Sequence, residues 1–460
     1  MKPGNAEAPP KRLLSVLALF LFLMLCLPGL QRWLHLSNER ALDGYSPRVA
    51  ENPEFTDTGW FAGSFQEQKA SWLNQHFGYR TTLLRLHNQI GYSWWDHSYT
   101  NAVIVGNEGY LFDQTYIDAW TGKDFVGEEK IKRQTEMLLE VQQKLAAKGT
   151  TLLVVMAPGK ASFFNSFIPH EPEKRKQTTV RNYDTYITHF RARGVQFIDG
   201  RSWFEQWRNV SPYPLFPKCG IHWSTYAATF VADSVSRRLG HLRGTVLSPL
   251  VVDRIIYGDS VNLVDSDVGR GMNLLFEPKG FPMAYPVYHF DEAKSTEKPS
   301  LLAIGDSYFW THDPGRFNGT VYSRTDFFYY NRDWHPFGGE QRKVIAADAL
   351  QQALAHDVVV IYCTDANLDE FGWGFIEQVY EQLNALPAQT QAADTQKTKG
   401  LSPRFAKSIP PDVAKMMMAI RGNPDWYASV ADKAKQKGIA TDSMLYLDAQ
   451  FMIDEQKKKK

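Results

Sequence analysis

The stretch Pro299-Ser-Leu-Leu-Ala-Ile-Gly-Asp-Ser-Tyr-Phe-Trp310 decides the fold. Leu301 to Ile304 form a short uncharged apolar run, the signature of a strand buried on both faces of an α/β sheet, and Gly305 breaks it. Asp306 and Ser307 follow. A small residue at the end of a buried strand allows a sharp turn at the carboxyl edge of the sheet, where open α/β folds place their ligands. Ser307 is therefore expected to face a cleft. Gly-Asp-Ser by itself is more often an ordinary turn, and the reading depends on the strand before it and on a base elsewhere.

A serine hydroxyl becomes a competent nucleophile only when a neighbouring base takes its proton. The candidate base lies upstream, as His222 in Lys218-Cys-Gly-Ile-His-Trp-Ser224. Gly-Asp-Ser-Tyr after a strand resembles the first block of SGNH hydrolases. A preceding His222-Trp223 pair resembles the alginate-type polysaccharide O-acetyltransferase family, the AlgX/AlgJ-like proteins, in which the SGNH fold is permuted and the histidine block comes first. Phe65 to Asn74, Phe77-Gly-Tyr-Arg80 and Val103-Ile-Val-Gly-Asn-Glu-Gly-Tyr-Leu-Phe112 resemble the opening of that family's catalytic domain. Read physically, the last of these is a hairpin about the Gly106–Gly109 turn.

The resemblance implies an α/β fold, an SGNH hydrolase-like doubly wound parallel sheet with helices on both faces. The chain order agrees with it. A helix is expected over Glu128–Lys148, a strand over Thr151–Met156, a helix over 173–193, a strand over Val195–Ile198, a helix over Thr225–Leu239 and a strand over Asp357–Tyr362. The segment 240–298 is looser and reads as a small lobe. Its Asp265 and Asp267 lack further oxygen ligands in view, so they are read as surface or cap residues and no metal is expected.

The resemblance also implies a mechanism. His222 takes the proton of Ser307, the serine attacks an acetyl carbonyl, and a sugar hydroxyl collects the acetyl group; water in its place would make the protein an acetylesterase. Asn367 and Thr364, beyond the Asp357–Tyr362 strand, are the candidate oxyanion donors, with Asn367 alternatively a helix cap. Trp223, Tyr308 and Lys160 are the candidate substrate-binding residues, although a lysine such as Lys160 is more commonly solvated. One departure stands out: the family has Asp-x-His-Trp, and this chain has Gly220 where the aspartate belongs. The histidine then needs its orienting acid from elsewhere. Asp199 at a strand end, Asp333 in Asp333-Trp334-His335, and a Ser–His dyad without an acid remain open. So does a non-catalytic polysaccharide-binding or assembly subunit that keeps only the fold.

Lys11-Arg12 precede an apolar run, Leu13 to Leu30, with no small-x-small cleavage site after it. Length and flanking charge favour an uncleaved signal anchor over a cleaved signal peptide, with the amino terminus in the cytoplasm and the remainder exported. The expected organisation is residues 1–44 with the membrane segment 13–30, an acetyltransferase domain at 45–387, a linker at 388–409 rich in Gln, Ala, Thr and Lys, and a helical tail at 410–460. A net charge of +1 gives no electrostatic case for nucleic acid. Cys219 and Cys363 read as two free buried thiols. Nothing marks a coenzyme A or nucleotide site, so no cofactor is expected. By resemblance, the partners are a polysaccharide acceptor, a membrane-bound O-acyltransferase as acetyl donor, and the inner membrane through the N-terminal helix, with the catalytic domain in the periplasm.

Overall fold

The computed structural model describes residues 11–44, 50–169 and 180–385, together with helical positions between 416 and 453. The chain divides into two compact units, Met1–Pro387 and Ala388–Lys460. In the second, Ile420, Val430, Met444, Leu445 and Ala449 are buried together. The linker expected at 388–409 lies outside the described residues, as does the start of the helix expected from 173.

The first unit opens with four helices, α1 (Lys11–Leu34), α2 (Asp57–Phe61), α3 (Ser64–Gln75) and α4 (Arg80–Trp95). Its strands are β1 (Val103–Val105), β2 (Leu111–Asp113), β3 (Thr151–Ala157), β4 (Phe197–Asp199), β5 (Leu250–Gly258), β6 (Met283–Phe290), β7 (Ser300–Gly305), β8 (Arg324–Tyr329), β9 (Asp333–His335), β10 (Arg342–Lys343) and β11 (Val358–Thr364). Seven of them form the central sheet in the order β10-β9-β8-β7-β11-β3-β4. From β8 to β4 neighbouring strands run parallel, and β9 and β10 add an antiparallel edge. β1 with β2 and β5 with β6 are separate antiparallel hairpins.

Both faces of the sheet are covered, which is why its central strands are uncharged throughout. Leu153, Val155, Leu301, Ala303, Val358 and Val360 point into one core with Phe204 and with Ala228, Val231 and Val235 of helix Thr225–Arg243. Their alternates Leu152, Val154, Leu302, Ile304, Val359 and Ile361 point into a second core with Leu138, Val141, Phe190 and Val379. Each fully buried side chain of this kind contributes about 1.5–3 kcal/mol. The helix on β3 runs Glu128–Ala147 and stops before Gly149, whose φ of +91° suits glycine. The carboxyl ends of β7, β11, β3 and β4 share one edge, and Ser307 lies there.

Candidate active site

Gly305 ends β7 where its backbone approaches β11: a Cβ at this position would lie 3.0 Å from Tyr362 Cβ and 3.1 Å from its carbonyl. Asp306, fully buried, ties the two strand ends together. Its Oδ1 accepts from Tyr308 N at 3.0 Å, and its Oδ2 from Thr364 N (3.0 Å), Thr364 Oγ1 (2.9 Å) and Asn367 Nδ2 (3.0 Å). Burial pushes this carboxyl above its ordinary range, and the four donors pull the other way. Ser307 follows as the first residue of a short 3-10 segment, Ser307–His312, and is half-buried.

His222 meets it from the segment that precedes helix Thr225–Arg243. The Ser307 hydroxyl lies 2.8 Å from His222 Nε2, and His222 Nδ1 lies 2.8 Å from Asp267 Oδ2. Asp267 Oδ1 accepts from Ile221 N at 3.0 Å and from Val268 N at 2.7 Å, so backbone donors fix the carboxylate in place. The His222 and Asp267 side chains are 14% and 26% exposed, open enough for substrate yet shielded enough to strengthen the pairing. A serine, a histidine and a carboxylate hydrogen-bonded in this order can serve as nucleophile, base and orienting acid.

Three cross-links hold the histidine segment on the serine segment and the sheet. Trp223 Nε1 donates to Thr311 Oγ1 at 2.6 Å, and Tyr308 OH to Ile221 O at 3.0 Å. Lys160 Nζ, at the end of β3, donates to Lys218 O at 2.6 Å and to Gly220 O at 2.8 Å. Asp267 itself comes from the segment between β5 and β6. That segment presses on Gly220, where a Cβ would meet Pro217 Cγ at 2.8 Å and Asp265 C and Val264 O at 2.9 Å. The glycine leaves room for the backbone that delivers the acid.

Residues 103–248 match the family model of the SGNH hydrolase-like domain, acetyltransferase AlgX. Over that stretch the chain resembles the AlgX acetyltransferase domain. The match covers less than half of the chain, includes His222, and ends before Asp267 and Ser307. Similar solved structures are the O-acetyltransferase domain of Pseudomonas putida AlgJ (14% identity, 64% of this chain and 99% of that one, TM-score 0.39) and Pseudomonas aeruginosa AlgX (13% identity, 61% and 68%, TM-score 0.38). Bacillus cereus PatB1 is another, at 12% identity over 59% of this chain and 99% of that one, with a TM-score of 0.38. No curated protein sequence matches the chain.

Several residues expected at the site take other positions. Asp199 caps helix Gly200–Arg208 through Ser202 N (3.0 Å) and binds Tyr183 OH (2.9 Å) and Arg191 (2.6 Å), so it does not orient His222. Asp333 is paired with Arg332 at 2.8 Å and Lys343 at 2.5 Å, which hold its carboxyl down at about 2. His222 Nδ1 is not without a carboxylate, since Asp267 Oδ2 lies 2.8 Å from it. Asp265 is a buried cap, accepting from Thr225 N and Oγ1, and burial raises its carboxyl to about 6. Asp267, read from sequence as a surface or cap residue, is the carboxylate hydrogen-bonded to His222 Nδ1.

Trp223 and Tyr308 are both completely buried, so neither offers a face to substrate; they are the cross-links just described. Lys160, 1% exposed, is not solvated either, and desolvation pulls its amine down to about 7. Asn367 Nδ2 donates to Asp306 and, at 2.9 Å, to Thr364 Oγ1, while both Thr364 donors go to Asp306. The two residues support Ser307 through Asp306, rather than offering a free donor to an oxyanion. Cys219 and Cys363 are free and buried. Sequence reasoning missed Asp267 and the structural role of Asp306, although Asp306 stood inside the quoted motif.

Proposed function

We propose that this AlgX-like chain transfers acetyl groups to hydroxyls of an exported or cell-surface polysaccharide, in the periplasm, through an acetyl-Ser307 intermediate. The observation that carries the reading is the continuous hydrogen-bonded line Ser307–His222–Asp267 at 2.8 Å and 2.8 Å. An intact line of this kind favours chemistry over a fold kept only for glycan binding. His222 Nε2 accepts the hydroxyl proton as Ser307 Oγ attacks the acetyl carbonyl. Asp267 holds Nδ1–H and stabilises the imidazolium that forms. The backbone N–H at the start of the Ser307–His312 turn is the candidate support for the oxyanion. Collapse of the tetrahedral intermediate expels the donor's oxygen, which leaves with the proton from His222. An acceptor hydroxyl then gives its proton to His222 and attacks acetyl-Ser307, and the serine oxygen departs protonated.

A cavity of 480 Å³ adjoins the segment that carries Asp267, with Lys218, Asp265, Ser266, Glu277 and Lys279 in its lining. Its polar walls suit a ligand rich in hydroxyl groups. The donor fitting this scheme is an acetyl group delivered by a membrane-bound O-acyltransferase, with α1 as the inner-membrane anchor: its Leu14–Leu34 stretch is long and apolar enough to cross a bilayer.

The test is partitioning of the acetyl group. The purified chain is given a chromogenic acetyl ester with and without oligosaccharide acceptors, and acetylated sugar is measured against free acetate. Acetylated sugar that disappears in Ser307→Ala supports a transferase. Acetate alone, unaffected by any acceptor, would reassign the same machinery to an esterase.

A further inference from the structure

Helix α4 is amphipathic in the reverse sense from a helix on a water-facing surface. Its polar side faces the protein. Buried Arg85 donates to Ala41 O at 2.7 Å, Asn88 donates to Met272 O at 2.9 Å, and Gln89 accepts from Phe276 N at 3.0 Å. Leu83, Leu86 and Trp94, with the half-buried Ile90, recur at helical spacing on the other side, and Trp94 is 73% exposed. Trp95 and Phe77 are exposed beside them. A contiguous apolar stripe of this kind marks an interaction surface.

The position of α4 says what covers it. Arg32, near the end of α1, donates to His76 O at 3.1 Å and lies 4.8 Å from the Trp72 ring. The Pro28 carbonyl packs so closely on Gly78 that a Cβ there would lie 2.0 Å away. The apolar run Leu13–Leu30 is about 27 Å long as a helix, close to the ~30 Å of a bilayer's hydrocarbon core. Pro28 is two residues from the end of that run, so with α1 inserted it would lie near the outer boundary of that core. Gly78 touches it there, and α4 begins two residues later.

We propose that α4 lies in the headgroup layer of the membrane entered by α1, with Leu83, Leu86, Ile90 and Trp94 turned into the acyl boundary. Tryptophan and an apolar helix face are the side chains that partition to this depth. The catalytic unit is then held against the bilayer by two contacts, one spanning and one lying flat. This fixes the height of Ser307 above the membrane, from which the acetyl group would come. The inference rests on the reading of α1 as an inserted anchor.

The full chain is reconstituted into nanodiscs of phosphatidylethanolamine and phosphatidylglycerol, with or without doxyl-labelled lipid. A fluorophore is placed at Leu86→Cys or Trp94→Cys in a Cys26→Ser background. Ile345→Cys, exposed beside the β10 edge, is the control, and native Cys26 reports on α1. Quenching at 86 and 94 is expected to exceed that at 345 by about twofold or more. Quenching at Cys26 with none at 94 above the control overturns the proposal and leaves the anchor standing. No quenching at Cys26 overturns the anchor reading and this proposal with it.

Discussion

In the proposed mechanism His222 takes up the Ser307 proton as the tetrahedral intermediate forms, and Asp267, 2.8 Å from Nδ1, would stabilise that state. Asp267→Asn should lower kcat by about 10³–10⁴ with KM little changed, because the amide cannot balance the imidazolium and favours the wrong tautomer. Asp199→Asn and Asp333→Asn, measured in the same acetyl-ester assay, should stay near wild type. Gly220→Asp should not rescue Asp267→Asn, since any side chain at 220 meets the backbone of Val264 and Asp265 at 2.9 Å. Rescue would mean that the acid can be supplied from the position two residues before the histidine after all. Lys160 makes a pH-dependent contribution. Its folded pKa, about 7, lies below the ordinary lysine value, so its contribution to stability is complete at high pH and is lost as pH falls through about 7. The stability deficit of Lys160→Met relative to wild type, which includes two lost hydrogen bonds, should therefore widen between pH 7 and pH 10 in thermal melts. Ser307 and His222 were legible because each rides on a local signal, a strand end and a His-Trp pair. Asp267 was not. Its contact with His222 spans 45 residues through a segment of loose pattern, and Gly220 acquires its meaning only once the distant loop packs on it.

Two strand ends, β7 and β11, make the platform for Ser307, and Asp306 is the knot between them. Thr364→Val removes one charge-assisted hydrogen bond to a buried carboxylate and should cost about 1–3 kcal/mol in denaturant unfolding. Catalysis should fall as well, because the turn that carries Ser307 begins at Asp306. A variant of unchanged stability would mean that the backbone N–H of Thr364 and the amide of Asn367 suffice. The strands themselves were readable as uncharged runs, since a sheet covered on both faces leaves no position for a charge in its centre. The aromatic side chains were misread for a related reason. Trp223 and Tyr308 have polar tips that sequence cannot distinguish from ligand-binding groups, and here those tips bond to Thr311 Oγ1 and the Ile221 carbonyl. The 240–298 lobe looked like an insertion without chemistry, yet the connection between β5 and β6 delivers the acid to the site.

At the scale of the molecule, an apolar α1, an α/β unit with the Ser307–His222 pair at its sheet edge and a match to the AlgX domain model over residues 103–248 stand in one chain. The net charge of +1 gave no electrostatic case for nucleic acid and does not distinguish a sugar from any other neutral acceptor. The most direct test of the account is to incubate the folded full-length chain briefly with an acetyl ester, quench it, and map the modified residue by mass spectrometry. One acetyl group on Ser307 is expected, absent in Ser307→Ala and strongly diminished in Asp267→Asn. An acetyl group found reproducibly on another residue, or turnover that survives Ser307→Ala, would contradict it.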